Sequence, residues 1–439
     1  MLMGHVKIII ALLIFLLFTF LPIFAIFTAT AWKIIYTVIA SIYVMLNQKM
    51  LKQSFFAMDK YKMISLSLCI YTLSIVWGLF VIIYNNGDFS YFGYWIIGLY
   101  GRMITYVFLA VLLMKWFKPN AVMKLFLLFF VMAISLQSIS TIIFLFDYDI
   151  KNVWFGLLEA TSANVKMMND TDGAYLTRVS FKGFTVFADT MRCSLAVIIY
   201  IFLKKRYIIT RVWDCLVLFA ILGNVFYGRS GLIFSLAFLS IYALCSLSVK
   251  NIKNICIYSI MILSVGAGII NFAESNPVYA NALKWVMEPF YSVVDSITYG
   301  SKISLGNSSD IMMSMYFLPD ENTLLIGDGK FQEDDGHYYM HTDVGIMRHM
   351  LFYGIIGQSM GYLIYIILCI NWLMINKNDA TNRWLIAGFI GLLIFGEIKG
   401  TPLTELLSML VAMTLMNGMD ICNKKKRWCG DCWQNRWFR

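Results

Sequence analysis

The feature that most constrains this chain is a succession of apolar runs, almost free of charge, separated by gaps that carry nearly all of the Lys and Arg. The runs fall at 8–28, 34–46, 63–84, 93–114, 125–146, 187–203, 212–228, 231–249, 255–273, 350–370, 384–397 and 403–417. Crossing the hydrocarbon core of a bilayer takes about 20 helical residues, so most of these runs are of spanning length. Only 14% of residues are charged and 60% are hydrophobic, against about 25% charged in soluble domains. A water-soluble enzyme, a disordered chain and a disulfide-stapled secreted scaffold are excluded. The expectation is an all-α polytopic integral membrane protein with about twelve transmembrane helices, forming a single transmembrane domain over residues 1–439. No signal-peptide cleavage pattern follows the first run, which therefore reads as a retained span.

The charges orient this scheme. With the N-terminus inside, the cytoplasmic gaps receive Lys7, then Lys49 to Lys62, then Lys115, Lys118 and Lys124. Lys204 to Arg211, Lys250 and Lys253, Lys377 and Arg383 follow, and a basic tail over 418–439 ends the series; together they hold 22 of the 35 basic residues. The outer segment 274–349 carries 11 acidic residues against 4 basic ones. This positive-inside pattern places both termini in the cytoplasm and makes the span number even. Two outer loops, 147–186 and 274–349, are too long to be simple connectors. Within the second, 279–288 is expected to form a short helix on the membrane surface. There is no internal repeat, which disfavours a repeat-built transporter.

Cysteine and histidine do not assemble a patterned metal site. Cys429 and Cys432 form a C-x-x-C with Cys422 upstream, one ligand short of a structural zinc set. His337 and His341 are four residues apart, without an H-E-x-x-H frame. No metal or cofactor is expected.

The informative residues are cations at outward span ends, where Arg is normally scarce. Arg192, Arg229 and Arg348 stand where the sixth, eighth and tenth spans begin. Helix N-termini carry unpaired N–H groups and partial positive charge, and Arg adds a fork that matches phosphate oxygens. Gly228-Arg229-Ser230-Gly231 is the sharpest case: glycine allows close backbone approach and Ser230 is placed to cap the helix. Arg178 and Lys182 lie just upstream of the sixth span and join the same surface. The competing reading for each is an interfacial anchor whose charge reaches the headgroups. Arg102 lies deeper, in the fourth span, and needs an acidic partner or a wet cavity. Glu397, Lys399 and Glu405 cluster at the turn between the last two spans, where a Glu397–Lys399 pair is the simplest reading and Thr401-Pro402 reads as a helix start. Gly327-Asp-Gly329 precedes His341-Thr-Asp343 and Tyr353-Gly-Ile-Ile-Gly357. A His and an Asp two residues apart, ahead of a helix start bearing Arg, supply a general-base candidate beside an anion site.

On these residues the chain resembles the O-antigen polymerase and O-antigen ligase group of bacterial envelope proteins. The shared marks are Gly228-Arg-Ser-Gly231, Arg178-Val-Ser-Phe-Lys-Gly183, and the run from Gly327 through His341-Thr-Asp343 to Tyr353-Gly-Ile-Ile-Gly357. Tyr353 and Thr342 stand where the ligase pattern has an acid and an Asn, which leans toward the polymerase. The resemblance implies a GT-C-like helical membrane fold with two large periplasmic loops in the bacterial inner membrane. It also implies metal-independent glycosyl transfer at the periplasmic face, with undecaprenyl-diphosphate-linked oligosaccharides as donor and acceptor. Arg192 and Arg229, with Arg348 and Arg178, would hold the diphosphate; His341 or Asp343 would deprotonate the acceptor; Arg102, Lys182 and Glu397 are further candidates. Membrane lipids and a chain-length co-polymerase are the implied partners, and no nucleic acid is expected. A ligase, and a flippase or transporter for lipid-linked sugars, are the alternatives.

Overall fold

The computed structural model describes residues 2–89, 98–160, 178–185, 187–207, 209–210, 212–245, 298, 312–333, 337–377 and 379–429; the side chains of 2–4, 212, 229 and 424–429 lie outside that description. Eleven of the twelve apolar runs lie wholly or in large part on described helices. The ninth run, 255–273, and the expected surface helix at 279–288 fall outside the described residues.

The first helices are α1 (Leu2–Phe20), α2 (Ala29–Leu46), α3 (Gln48–Met58) and α4 (Met63–Asn85). Helix α1 stops eight residues before the expected boundary because Pro22 follows: a proline cannot donate to the ladder and restricts its predecessor. Leu21, just ahead of it, leaves the helix in the left-handed region, at φ 48°. Helix α2 starts five residues earlier than expected, where the Thr28 side chain accepts the Ala31 N–H at 3.3 Å, so Lys33 sits inside the helix rather than ahead of it. Asp59 caps α4, accepting the N–H groups of Ile64 at 2.9 Å and Ser65 at 3.2 Å.

Next come α5 (Leu99–Trp116), α6 (Pro119–Phe146) and α7 (Tyr148–Gly156), with Pro119 in the first turn of α6, where its missing N–H costs nothing. The antiparallel ribbon of β1 (Val179–Ser180) and β2 (Gly183–Phe184) follows. Then come α8 (Phe187–Arg206), α9 (Val212–Tyr227), α10 (Arg229–Cys245) and the one-turn α11 (Glu321–Leu325). The last are α12 (Gly345–Ile375), α13 (Ala380–Glu397) and α14 (Leu403–Cys429).

Among the described residues, six helices are long and apolar enough to cross a membrane: α2, α4, α5, α6, α12 and α14. Helices α1, α9 and α10 contribute shorter apolar stretches. Helix α8 differs in kind. Every residue from Asp189 to Leu203 is buried, and the helix packs against α6, α9, α10 and α13. It is the central post of the bundle, which is why it tolerates charges a lipid-facing helix would not. By contrast, large apolar side chains such as Ile34, Val38, Leu73, Val76 and Phe80 are exposed on α2 and α4, the arrangement expected of a face turned to lipid.

Polar contacts show that helices consecutive in the chain alternate in direction. At one end, the C-terminal Arg206 of α8 meets Asp379, the cap of α13, at 2.6 Å. Lys204 meets Asp214 in the first turn of α9 at 2.9 Å. The starts of α5, α8, α10, α12 and α14 gather at the other end.

Candidate functional site

The start of α8 is the centre of a buried ionic network. Arg192 places Nη1 3.0 Å from Asp189 Oδ1, one turn back on the same face, and Nη2 3.0 Å from Glu405 Oε2 in the first turns of α14. Arg102 of α5 reaches the same Glu405 oxygen from Nε at 3.3 Å, while its Nη1 donates to the Thr19 carbonyl at the end of α1 at 2.7 Å. Tyr106, one turn along from Arg102, donates to the other Glu405 oxygen. Lys182, in the two-residue loop between β1 and β2, completes the chain with Nζ 2.7 Å from Asp189 Oδ2. Five ionic side chains from four segments thus share two carboxylates among three cations. Arg192 (4% exposed) and Asp189 (0%) are sealed, whereas Arg102 (19%) and Lys182 (16%) keep an edge in the open. Burial pulls the Lys182 ammonium below its ordinary pKa, with Asp189 opposing that pull.

The hairpin is held for this purpose. Thr141 donates to the Val179 carbonyl at 2.6 Å, Trp154 to the Phe181 carbonyl at 2.7 Å, and the Ser140 hydroxyl accepts the Phe181 N–H at 3.0 Å. Helices α6 and α7 therefore fix the loop that carries Lys182.

The Gly228–Gly231 element packs against the same turn of α8. Thr190 Oγ1 lies 2.8 Å from both Asn224 Oδ1 and the Gly228 carbonyl, and Ser194 donates to the Gly231 carbonyl at 3.0 Å. A Cβ on Gly231 would collide with Thr190 and Asn224. The glycines thus bring α10 close against α8. Ser230 is the second residue of α10, its hydroxyl has no hydrogen-bond partner among the described residues, and the expected capping role is not seen. Arg229 opens α10 at this end, and its side chain lies outside the described set.

A second cluster surrounds a break in α12. Gly354 has φ 62° and ψ −179°, a region that is essentially glycine-only. The break takes three carbonyls out of the helical ladder, and each is re-satisfied from outside. Asp328 N–H donates to Leu351 O at 2.7 Å, Gly329 N–H to Phe352 O at 3.2 Å, and the Trp77 indole to Tyr353 O at 2.8 Å. Interrupted helices persist at membrane depth only under such compensation. Gly327 and Gly354 lie so close to the opposing backbone that a Cβ on either would collide with it. The loop is tied onward to α4, where Asn85 donates to the Gly327 carbonyl at 2.7 Å and Asp88 accepts the Phe331 N–H at 2.6 Å. Tyr339 donates to Asp328 at 3.1 Å; burial, then the Asp328 charge, push its phenol up to about 12, so it stays a donor.

Arg348 lies under this loop, its guanidinium 3.7 Å from the Tyr338 ring and 4.4 Å from that of Phe331. Beside it, His349 is buried with Nε2 3.7 Å from Glu397 Oε2. Tyr362 donates to the same Glu397 oxygen at 3.0 Å. Only the turn 398–402 separates Glu397 from Glu405 in sequence, and a Cβ on Gly345 would strike that turn at Gly400. The ionic network and the His–Glu pair therefore stand on either side of one turn.

The structure brings together Arg102, Lys182 and Arg192 in the first cluster, and Arg348 and Glu397 in the second. Arg178 is half-buried ahead of the hairpin, its carbonyl accepting the Thr185 N–H at 2.9 Å. His341 and Asp343 are exposed on the loop before α12; His341 adopts φ 51° in the turn Tyr339–His341, its ring 5.8 Å from that of His337. Asp189, Tyr106, His349 and Tyr362 were not among the expected site residues, and Glu405 was expected only as part of the charged cluster at the last turn. Spacing holds a signal for two of them, since Asp189 is three residues before Arg192 and Tyr106 four after Arg102, both same-face intervals on a helix.

No family model, curated protein or solved structure matches this chain.

Proposed function

We propose that the chain is a membrane glycosyltransferase that polymerises undecaprenyl-diphosphate-linked oligosaccharide units at the periplasmic face of the bacterial inner membrane, with twelve spans and both termini cytoplasmic. The observation that carries this reading is the ionic network at the start of α8, where three cations face two carboxylates. Among these described side chains the cations outnumber the carboxylates by one, at the end of the bundle that the charge pattern assigns to the outside. A lipid diphosphate presents its charge at that depth, and its departure during glycosyl transfer is stabilised by fixed cations nearby. In this reading Arg102 and Lys182, with open edges, meet the diphosphate directly. Arg192 lies behind them and holds the two carboxylates that space them, and Arg229 opens the adjoining helix. Arg348, Arg178, His341 and Asp343 line the approach from the loops, on the side from which an acceptor sugar arrives.

The break in α12 favours a second reading. Interrupted helices near a binding site are a recurring device of transporters, which keeps a flippase for lipid-linked sugars in play, and a ligase would use the same donor site. A lipopolysaccharide gel of a deletion strain separates the three. A single repeat on the lipid core is the expected outcome for the polymerase. Bare core with accumulated lipid-linked polymer would assign the ligase, and bare core with untranslocated single units the flippase.

A further inference from the structure

The buried pair of His349 and Glu397 has no part in the scheme above, and it stands one turn away from the proposed donor site. We infer that His349, backed by Glu397, is the base that takes the proton from the acceptor hydroxyl, and that His341 is not; the inference rests on the glycosyl-transfer reading. Ionisable side chains buried at membrane depth are retained for function more often than for packing. Here the two are set against each other at 3.7 Å, so the imidazolium formed on proton uptake gains a carboxylate at its own Nε2. Glu397 is fixed in turn: Tyr362 donates to Oε2 at 3.0 Å, Gln358 Nε2 lies 3.4 Å from the Tyr362 hydroxyl, and the same Nε2 donates to the Ile346 carbonyl at 3.2 Å. The other Glu397 oxygen has no hydrogen-bond partner among the described residues.

A small cavity of about 10 Å³ lies beside His349, between Gln358, Tyr362 and Leu403, which is the space of about one water molecule. It lies at the first turn after the break at Gly354, where the following helix segment begins. Arg348, the neighbouring cation, stacks on the rings of Tyr338 and Phe331. His341, by contrast, is exposed on a left-handed turn beside His337.

The step balances. The acceptor O–H bond breaks and its proton passes to His349 Nε2. The oxygen pair forms the bond to the anomeric carbon of the donor. The bond from that carbon to the diphosphate oxygen breaks, and its electron pair leaves with the lipid diphosphate toward Arg102 and Lys182. The imidazolium, opposite Glu397, then releases its proton to water.

The test uses the full chain in proteoliposomes supplied with lipid-diphosphate-linked repeat units. Rates are normalised to correctly folded protein, and donor retention on the immobilised protein is measured in parallel. His349→Gln should lower turnover by about 10²- to 10⁴-fold, the range of general-base contributions, while donor retention stays at the wild-type level. Glu397→Gln, close in shape, should lower it in the same direction, and His337→Gln should leave it unchanged. If wild-type protein makes no longer glycan, the glycosyl-transfer reading falls and the inference with it. If wild-type protein polymerises and either His349→Gln or a well-folded Glu397→Gln matches its rate, the inference alone is overturned. Loss of turnover confined to His341→Gln would return the base to the loop.

Discussion

Arg192 illustrates how a residue read as a ligand holder becomes a keystone. Both of its Nη groups are engaged by carboxylates, and Asp189 and Glu405 have Lys182 and Arg102 as their remaining cations. Removing one member of a buried pair leaves the other uncompensated, at about 3–5 kcal/mol. Glu405→Gln is therefore expected to lower the thermal midpoint and the level of protein in the membrane. Replacing both partners by apolar residues of similar size is far milder than breaking the pair. An Arg192→Met, Glu405→Leu double variant should thus recover its level while staying inactive, because Lys182 and Arg102 lose their spacing. Recovery of activity together with level would show that the pair serves stability alone.

At the scale of the element, α12 carries the most specific instruction in the chain. The spacing of Gly327, Gly329 and Gly354 reads from sequence as a family mark, and from structure as a joint: a helix opened at one residue, with its exposed carbonyls taken up by the loop and by Trp77. A side chain at Gly354 meets both an unfavourable backbone region and the Leu325 carbonyl. Gly354→Ala is expected to cost at least about 1–3 kcal/mol from the backbone term. Differential scanning of purified protein should show the lowered midpoint, and proteolysis should find the segment around Asp328 cut faster than in the wild type. An unchanged midpoint would mean that the joint is not strained.

For the whole molecule, the alternation of helix direction gathers the candidate residues at one end and leaves Lys204, Arg206 and Lys377 at the other. Reporter fusions after Asn276 and after Asn423 are expected to report opposite sides of the membrane, the latter cytoplasmic. Agreement between them would break the even-span scheme. The prediction follows from the 22 basic residues assigned inside, and it is independent of what the site does.

Helix positions were largely legible in the residues themselves. Apolar runs declare themselves because the hydrocarbon core admits little else, and caps and prolines such as Thr28, Pro22 and Pro119 refine the ends by local chemistry. That Arg102 needs a buried partner was also legible, since a cation at that depth cannot stand alone. Which partner it finds was not: Glu405 lies three hundred residues away, and only the packing of α14 on α5 brings it within 3.3 Å. The same holds for the His349–Glu397 pair: Glu397 stands out as an acid near a span end, but nothing along either helix names His349 as its partner. Side-chain pairing between helices depends on their rotation and crossing, and these are settled by the fit of the whole bundle, not by any local pattern. The sequence by itself therefore determined what crosses the membrane and where charge is concentrated. The tertiary structure decided which charges neutralise one another, which keep an open edge, and which histidine lies against a carboxylate.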